Sequence, residues 1–185
     1  MKLNPQIETE ITNCVSALRK GEFIFFPDET GWSIGCDAMN EKLIQKIISH
    51  DDYDDGSLLL DDPGRLNKFV KEIPDTLWDL IEFSERPLQV LLGGVVNLPA
   101  SLISESQESA FRIVKEVFPK LMVHKFGKPV FSAKCIEQSR PSVTADGILN
   151  TPAYVVNLRI GAKSNTGSLV IIRLSGGGRI EVVRK

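Results

Sequence analysis

The chain has 185 residues, 42% apolar and 25% charged, with 22 Lys and Arg against 24 Asp and Glu for a formal net charge of −2. That length carries one domain with a full core, and that balance excludes a disordered chain, a fibrous repeat and a strongly basic nucleic-acid coat. Three cysteines (Cys14, Cys36 and Cys135) with no C-x-x-C pair argue against a disulfide or zinc framework.

Residues 6–20 predict an amphipathic helix, with Ile7, Ile11, Val15 and Leu18 on one face and Gly21 as its left-handed cap. Glu22–Phe26 reads as a short apolar strand stopped by Pro27, and 27–38, holding Gly31 and Gly35, as a loop. Asn40 caps a helix over 41–49 whose buried face is Leu43, Ile44, Ile47 and Ile48. The acidic stretch 50–56 ends that helix, and 58–60 is a strand. Helices follow at 63–72 and 75–83, parted by Pro74. Strands are expected at 88–92 and 110–114, then a helix to about Phe126, then strands at 130–132, 153–157, 169–174 and 179–184. Ser175 to Gly178 between the last two is a hairpin signal. Strands interleaved with helices and closed by a hairpin predict one α/β domain over 1–185 with a mixed sheet. No run approaches the ~18 apolar residues of a membrane helix, and the start, MKLNPQIETE, lacks the apolar centre of a secretory signal. A cytoplasmic protein is expected.

The small net charge conceals a division. Residues 1–111 carry 9 basic and 20 acidic residues, whereas 112–185 carry 13 basic and 4 acidic. The basic half includes Lys125, Lys128, Lys134, Arg140, Arg159, Lys163, Arg173, Arg179 and Arg184. Gathered on one face, these would neutralise phosphates. The aromatic residues that could stack bases there (Phe126, Phe131, Tyr154) are few, which disfavours single-strand recognition.

Other signals are weaker. Asp51-Asp-Tyr-Asp-Asp-Gly56, with Asp62 at position 12, comes near a calcium loop. Tyr53 stands where a short oxygen ligand is needed and Asp62 where the longer Glu belongs, so a solvated acidic loop is the better reading and no metal is assigned. His50 and His124 have no ligand spacing. Gly176–Gly178 serves a turn more economically than a phosphate cradle. Cys36 has no adjacent cation or histidine in the sequence to activate it.

Several segments, in order along the chain, resemble the YrdC-like family. Phe26-Pro-Asp-Glu-Thr-Gly-Trp-Ser-Ile-Gly-Cys-Asp-Ala38 is similar to its P-T-[DE]-T-x-Y-G-L-G-x-D-A segment. Pro87–Leu91 with Asn97-Leu-Pro99 resembles its P-L-T strand and loop. Phe111-Arg-Ile113 resembles the strand carrying a ligand-binding arginine, Lys128 to Ser142 the segment with S-A-N, and Val170 to Arg184 the closing hairpin. The resemblance implies an open, twisted mixed sheet with helices on both sides and a concave central pocket. In the family that pocket binds ATP, bicarbonate and L-threonine and forms threonylcarbamoyl-AMP for tRNA modification, and YciO-like members are associated with RNA.

Against that pattern, Thr30, Arg112 and Arg184 are the retained substrate-binding positions. The altered ones are Asp28 for Thr, Trp32 for Tyr, Asp51 and Tyr53 for the K-x-R pair, and Lys134 and Ile136 for the Ser and Asn of S-A-N. A carboxylate near a triphosphate repels it. The resemblance with these changes implies a non-catalytic or altered module for a nucleotide, a small carboxylate held by Arg112, or RNA (double-stranded RNA included) on the basic half, with no cofactor assigned. The alternatives are an active synthase using ATP, L-threonine and bicarbonate with cations such as Lys134 drawn in, and a scaffold protein without ligand.

Overall fold

A computed structural model of the chain describes residues 4–137, 151–158 and 169–184, apart from the side chain of Asp55. Arg140, Arg159, Lys163, and Pro141-Ser142 from the family-like segment lie outside the described residues. Helix α1 (Pro5–Lys20) starts where Asn4 accepts a bond from the Gln6 amide, and it stops at Gly21, whose φ of 74° is the left-handed cap. Helices α2 (Glu41–Ile48), α3 (Thr76–Phe83) and α4 (Val117–Phe126) are the other α-helices among the described residues.

The strands are β1 (Phe23–Asp28), β2 (Gly31–Asp37), β3 (Tyr53–Leu60), β4 (Leu88–Gly93), β5 (Glu108–Ile113), β6 (Val130–Cys135), β7 (Ala153–Val155), β8 (Val170–Ser175) and β9 (Arg179–Arg184). They form one mixed sheet in the order β7-β1-β2-β6-β3-β5-β4-β8-β9. Pairings β1–β7, β3–β5 and β4–β8 are parallel and the others antiparallel. The expected open mixed sheet with helices on both faces is what the chain builds.

Three sequence expectations need correction. Residues 27–38 are no loop: Asp28 pairs with Gly31 across the two-residue connection Glu29-Thr30, and β2 runs on to Asp37. Two glycines disguised a strand in which Trp32, Ile34 and Cys36 alternate onto one core face. Gly35 is needed there, since a Cβ would lie 2.9 Å from the Phe26 ring and 3.1 Å from Val130. Strand β3 begins at Tyr53, so much of the acidic stretch belongs to the sheet, with a register shift between Asp54 and Ser57. The helix expected at 63–72 is a 3-10 turn over Pro63–Lys68, capped by Asp62.

Two cores flank the sheet. On one face Phe23, Phe25, Ile34, Leu58, Phe111 and Phe131 pack with residues of α2 and α3. On the other, Ile24, Phe26, Leu59 and Val130 meet Leu18 of α1 and Met122 of α4. Cross-strand register extends this second face beyond the two helices. There Ser33 and Asp54 stand opposite Lys134, Ser57 opposite Ser132, and Gln89 opposite Arg112. The sheet is thus apolar where helices cover it and polar farther along the same strands.

Candidate functional site

The polar end of that face centres on Asp28 and Arg112. Asp28 ends the apolar strand β1, and Arg112 lies near the end of β5, so the two meet only because the sheet brings distant strands together. Arg112 Nη2 donates to Asp28 Oδ2 at 2.6 Å, with side-chain exposures of 4% and 0%. Asp28 Oδ1 accepts from the Thr30 amide and hydroxyl, each at 2.7 Å, and Ser33 Oγ donates to Oδ2 at 3.1 Å. Burial pushes the Asp28 carboxyl up, but the charge and hydrogen bond of Arg112 and the two bonds from Thr30 outweigh it. The carboxyl is therefore held below its ordinary value.

Glu29 is the next residue in the turn. Its Oε1 stands 3.7 Å from Arg112 Nη1, and burial pushes its carboxyl up despite that guanidinium. Glu116, just ahead of α4, is also pushed up by burial and then by Asp28.

Farther along the face, Arg184 Nη1 of β9 lies 4.0 Å from Asp54 Oδ2 of β3. Lys134 is half-buried on β6, in register with Asp54. Buried Ser57 Oγ, Ser132 Oγ and Gln89 Oε1 find no hydrogen-bond partner among the described residues. Buried polar atoms without partners are rare, and these three belong to strands β3, β6 and β4 of the polar face.

Of the positions expected to bind substrate, Thr30 and Arg112 come together, and both are bound to Asp28. The expectation that Arg112 holds a ligand carboxylate meets a carboxylate of the chain itself. Arg184 lies elsewhere on the face, beside Asp54. Among the altered positions, Asp28 and Lys134 belong to the polar face. Trp32 is buried in the opposite core. Asp51 is exposed in the turn before β3, Tyr53 packs against that same opposite core, and Ile136 is 62% exposed just after β6. Asp54 was named in the sequence only as part of the acidic stretch, and Glu29 was not singled out. A lone acid in an apolar strand and a lone arginine in another were the available signal for the pairing. His50 lies within 3.3 Å of Asp52, and His124 Nδ1 within 2.8 Å of Asp61, which also pairs with Arg65. No group of three His, Cys, Asp or Glu among the described residues is arranged to hold a metal. Burial pushes the Cys36 thiol far up, which leaves it unreactive.

Among the described residues, several cations of the basic half are paired with acids of the chain. Lys128 pairs with Asp37, Arg173 with Glu108 and Glu181, and Arg184 approaches Asp54. Strand β6 of the later half lies between β2 and β3 of the earlier one, which brings described acids and bases of the two halves together.

A cavity of about 490 Å³ lies on the other face, between α3 and the sheet, with Leu77, Ile81, Val90 and Phe111 in its wall and Glu29 and Glu116 at one end. Among the described residues, no helix is long and apolar enough to cross a membrane.

Comparison with known proteins joins these features to a family. The threonylcarbamoyl-AMP synthase of Pseudoalteromonas translucida is 26% identical over 131 residues, covering 68% of this chain and 70% of that protein. That of Riesia pediculicola is 27% identical over 139 residues, with coverages of 67% and 70%. Escherichia coli YciO superposes with a TM-score of 0.71 at 18% identity, covering 98% of this chain and 91% of its own. Pyrococcus abyssi Sua5 complexed with L-threonine gives 0.70 at 19% identity, and there this chain spans 55% of the longer protein. At those identities the two structures establish the fold alone. The Sua5/YciO/YrdC family model, described as telomere recombination, matches residues 16–185, every described strand of the sheet including both strands of the Asp28–Arg112 pair, and the chain belongs to that family.

Proposed function

We propose that this protein is a YrdC-like binding module, related to threonylcarbamoyl-AMP synthases, whose polar site no longer makes threonylcarbamoyl-AMP. The observation that carries the reading is Asp28 bound at 2.6 Å to Arg112. The family resemblance makes Arg112 a ligand-binding arginine, suited by its chemistry to a carboxylate, and here a carboxylate partner is built into the chain. Asp54 beside Arg184 supports the same reading, because a triphosphate approaching either arginine also meets a carboxylate. Fixed cations on developing phosphate charge are the main catalytic resource of such a reaction, and both retained arginines are offset. Ser57, Ser132 and Gln89 support retention of a binding role, since their unpartnered atoms offer hydrogen bonds to a polar ligand. RNA binding through the basic half draws little support from Lys128, Arg173 and Arg184, each facing acids of the chain.

One observation favours the alternative of an active synthase. Lys134 is a cation the family pattern lacks, and it stands on the polar face in register with Ser33 and Asp54. The test is incubation with ATP, L-threonine and bicarbonate, reading pyrophosphate release and the adenylate product by mass. No product above a protein-free control is expected. Turnover that a Lys134→Ala change abolishes would establish the alternative.

A further inference from the structure

We infer that the cavity between α3 and the sheet binds a small primary ammonium carried on an apolar body, with Glu29 as its charge partner. Its volume of about 490 Å³ falls within the range of small-molecule sites. Leu77 and Ile81 of α3 face Leu88 and Phe111 of the sheet across it, a wall suited to a hydrocarbon or an aromatic ring. Phe111 and Arg112 are adjacent on β5 and point to opposite faces, so this is not the polar face described above, and the two meet at Glu29, which stands 3.7 Å from Arg112.

Glu29 is what makes the cavity selective. It is 9% exposed, and its Oε2 is buried with no hydrogen-bond partner among the described residues. Its Oε1 is 3.7 Å from Arg112 Nη1, outside hydrogen-bond reach, because the short contact of that arginine goes to Asp28. Of the other lining cations, Lys115 is turned to the Ser84 carbonyl at 2.6 Å, and Arg86 is exposed. The lining carries Glu29, Glu85 and Glu116 against Arg86 and Lys115, leaving an excess of one negative charge. A buried carboxylate oxygen without a donor costs free energy that an incoming N–H recovers. An ammonium supplies both the donor and the missing charge, while its carbon frame meets the apolar wall. Burial raises the carboxyls of Glu29 and Glu116, the condition that a bound cation reverses.

The test uses the whole chain and isothermal titration with three probes of one shape: 2-phenylethylammonium, 2-phenylethanol and phenylacetate. The amine is expected to bind at millimolar concentration or tighter, with the alcohol and the acid weaker by about tenfold or more. Glu29→Gln should weaken the amine by a similar factor and leave the alcohol unchanged. Ile81→Trp, which fills the cavity without touching the carboxylate, should weaken both. Circular dichroism checks that each variant is folded, and the comparison of probes on the unaltered protein needs no variant. Absence of amine binding at roughly 10 mM, equal affinity for amine and alcohol, or an amine affinity indifferent to Glu29→Gln would each overturn the assignment.

Discussion

Replacing Asp28 by Thr, the residue that the family pattern carries there, is the most informative single change. It removes the acceptor of four contacts: two from Thr30 at 2.7 Å, one from Ser33 at 3.1 Å and one from Arg112 at 2.6 Å. Both members of the ion pair are buried, so the change leaves the guanidinium the more distant Glu29, 3.7 Å away, as its charge partner, a loss of at most about 3–5 kcal/mol. Asp28→Asn keeps an oxygen for Thr30 but removes the charge, and should cost less, roughly 1.5–3 kcal/mol. Asp28→Thr combined with Arg112→Met should recover much of the loss, because removing both charges also removes the stranded one. A coupling energy of about 2 kcal/mol or more is expected from the cycle. Urea unfolding followed by tryptophan fluorescence measures the parent, both Asp28 variants, Arg112→Met alone and the double variant, with Trp32 reporting from the strand beside Asp28. A loss under about 1 kcal/mol for Asp28→Thr, or strict additivity in the double variant, refutes the argument that Asp28 holds Arg112.

The same pair fixes a pH dependence. With its carboxyl below the ordinary 3.8, Asp28 contributes stability that is fully present above that value and lost as pH falls through the lower folded one, so Asp28→Asn should flatten the acid limb of a stability–pH curve. Glu29 acts in the opposite sense: raised above 4.5, it favours the fold at low pH and gives up that contribution as pH rises through the folded value. Glu29→Gln should therefore match the parent near pH 4 and exceed it at pH 7.5, and a loss of stability at pH 7.5 would refute this. Gly35→Ala should cost about 1–3 kcal/mol by overpacking against Phe26 and Val130, and a urea midpoint equal to the parent's would refute it. Tyr154→Phe removes the phenolic donor to buried Glu10 at 2.7 Å and the acceptor for Asn13 at 3.0 Å. It should lower stability by about 1–3 kcal/mol, and hydrogen exchange should report loosening where β7 meets α1.

Much of the architecture was legible because local patterns agreed with it. The helical stripe of Ile11, Val15 and Leu18, the cap at Gly21 and the closing hairpin each follow from neighbours in the chain. Strand β2 was hidden because Gly31 and Gly35 read as turn residues, whereas one opens a two-residue hairpin and the other admits the Phe26 ring. The site was harder. Asp28 and Arg112 are 84 residues apart, and their meeting depends on β2, β6 and β3 lying between their strands. The changed residues were visible as changes, but Trp32 and Tyr53 proved to serve the opposite core. The charge argument from the acidic stretch survives in Asp54, which reaches Arg184, and not in Asp51, which faces solvent.

The placement of β6 between β2 and β3 has a consequence for how the chain reaches its native state. Strands β2 and β3 are consecutive, yet neither has its inner neighbour until residues 130–135 arrive. A nascent chain emerging N-terminus first therefore forms the β1–β2 hairpin early and cannot join it to β3 until residues 130–135 have emerged. The edge pairing of Phe23 with Ala153 closes later still, across about 130 residues, at an entropic cost near 4 kcal/mol from chain length alone. Slow, late-closing assembly with exposed strand edges is the expected folding behaviour, and it makes the interval before β6 is available the period of greatest exposure to aggregation.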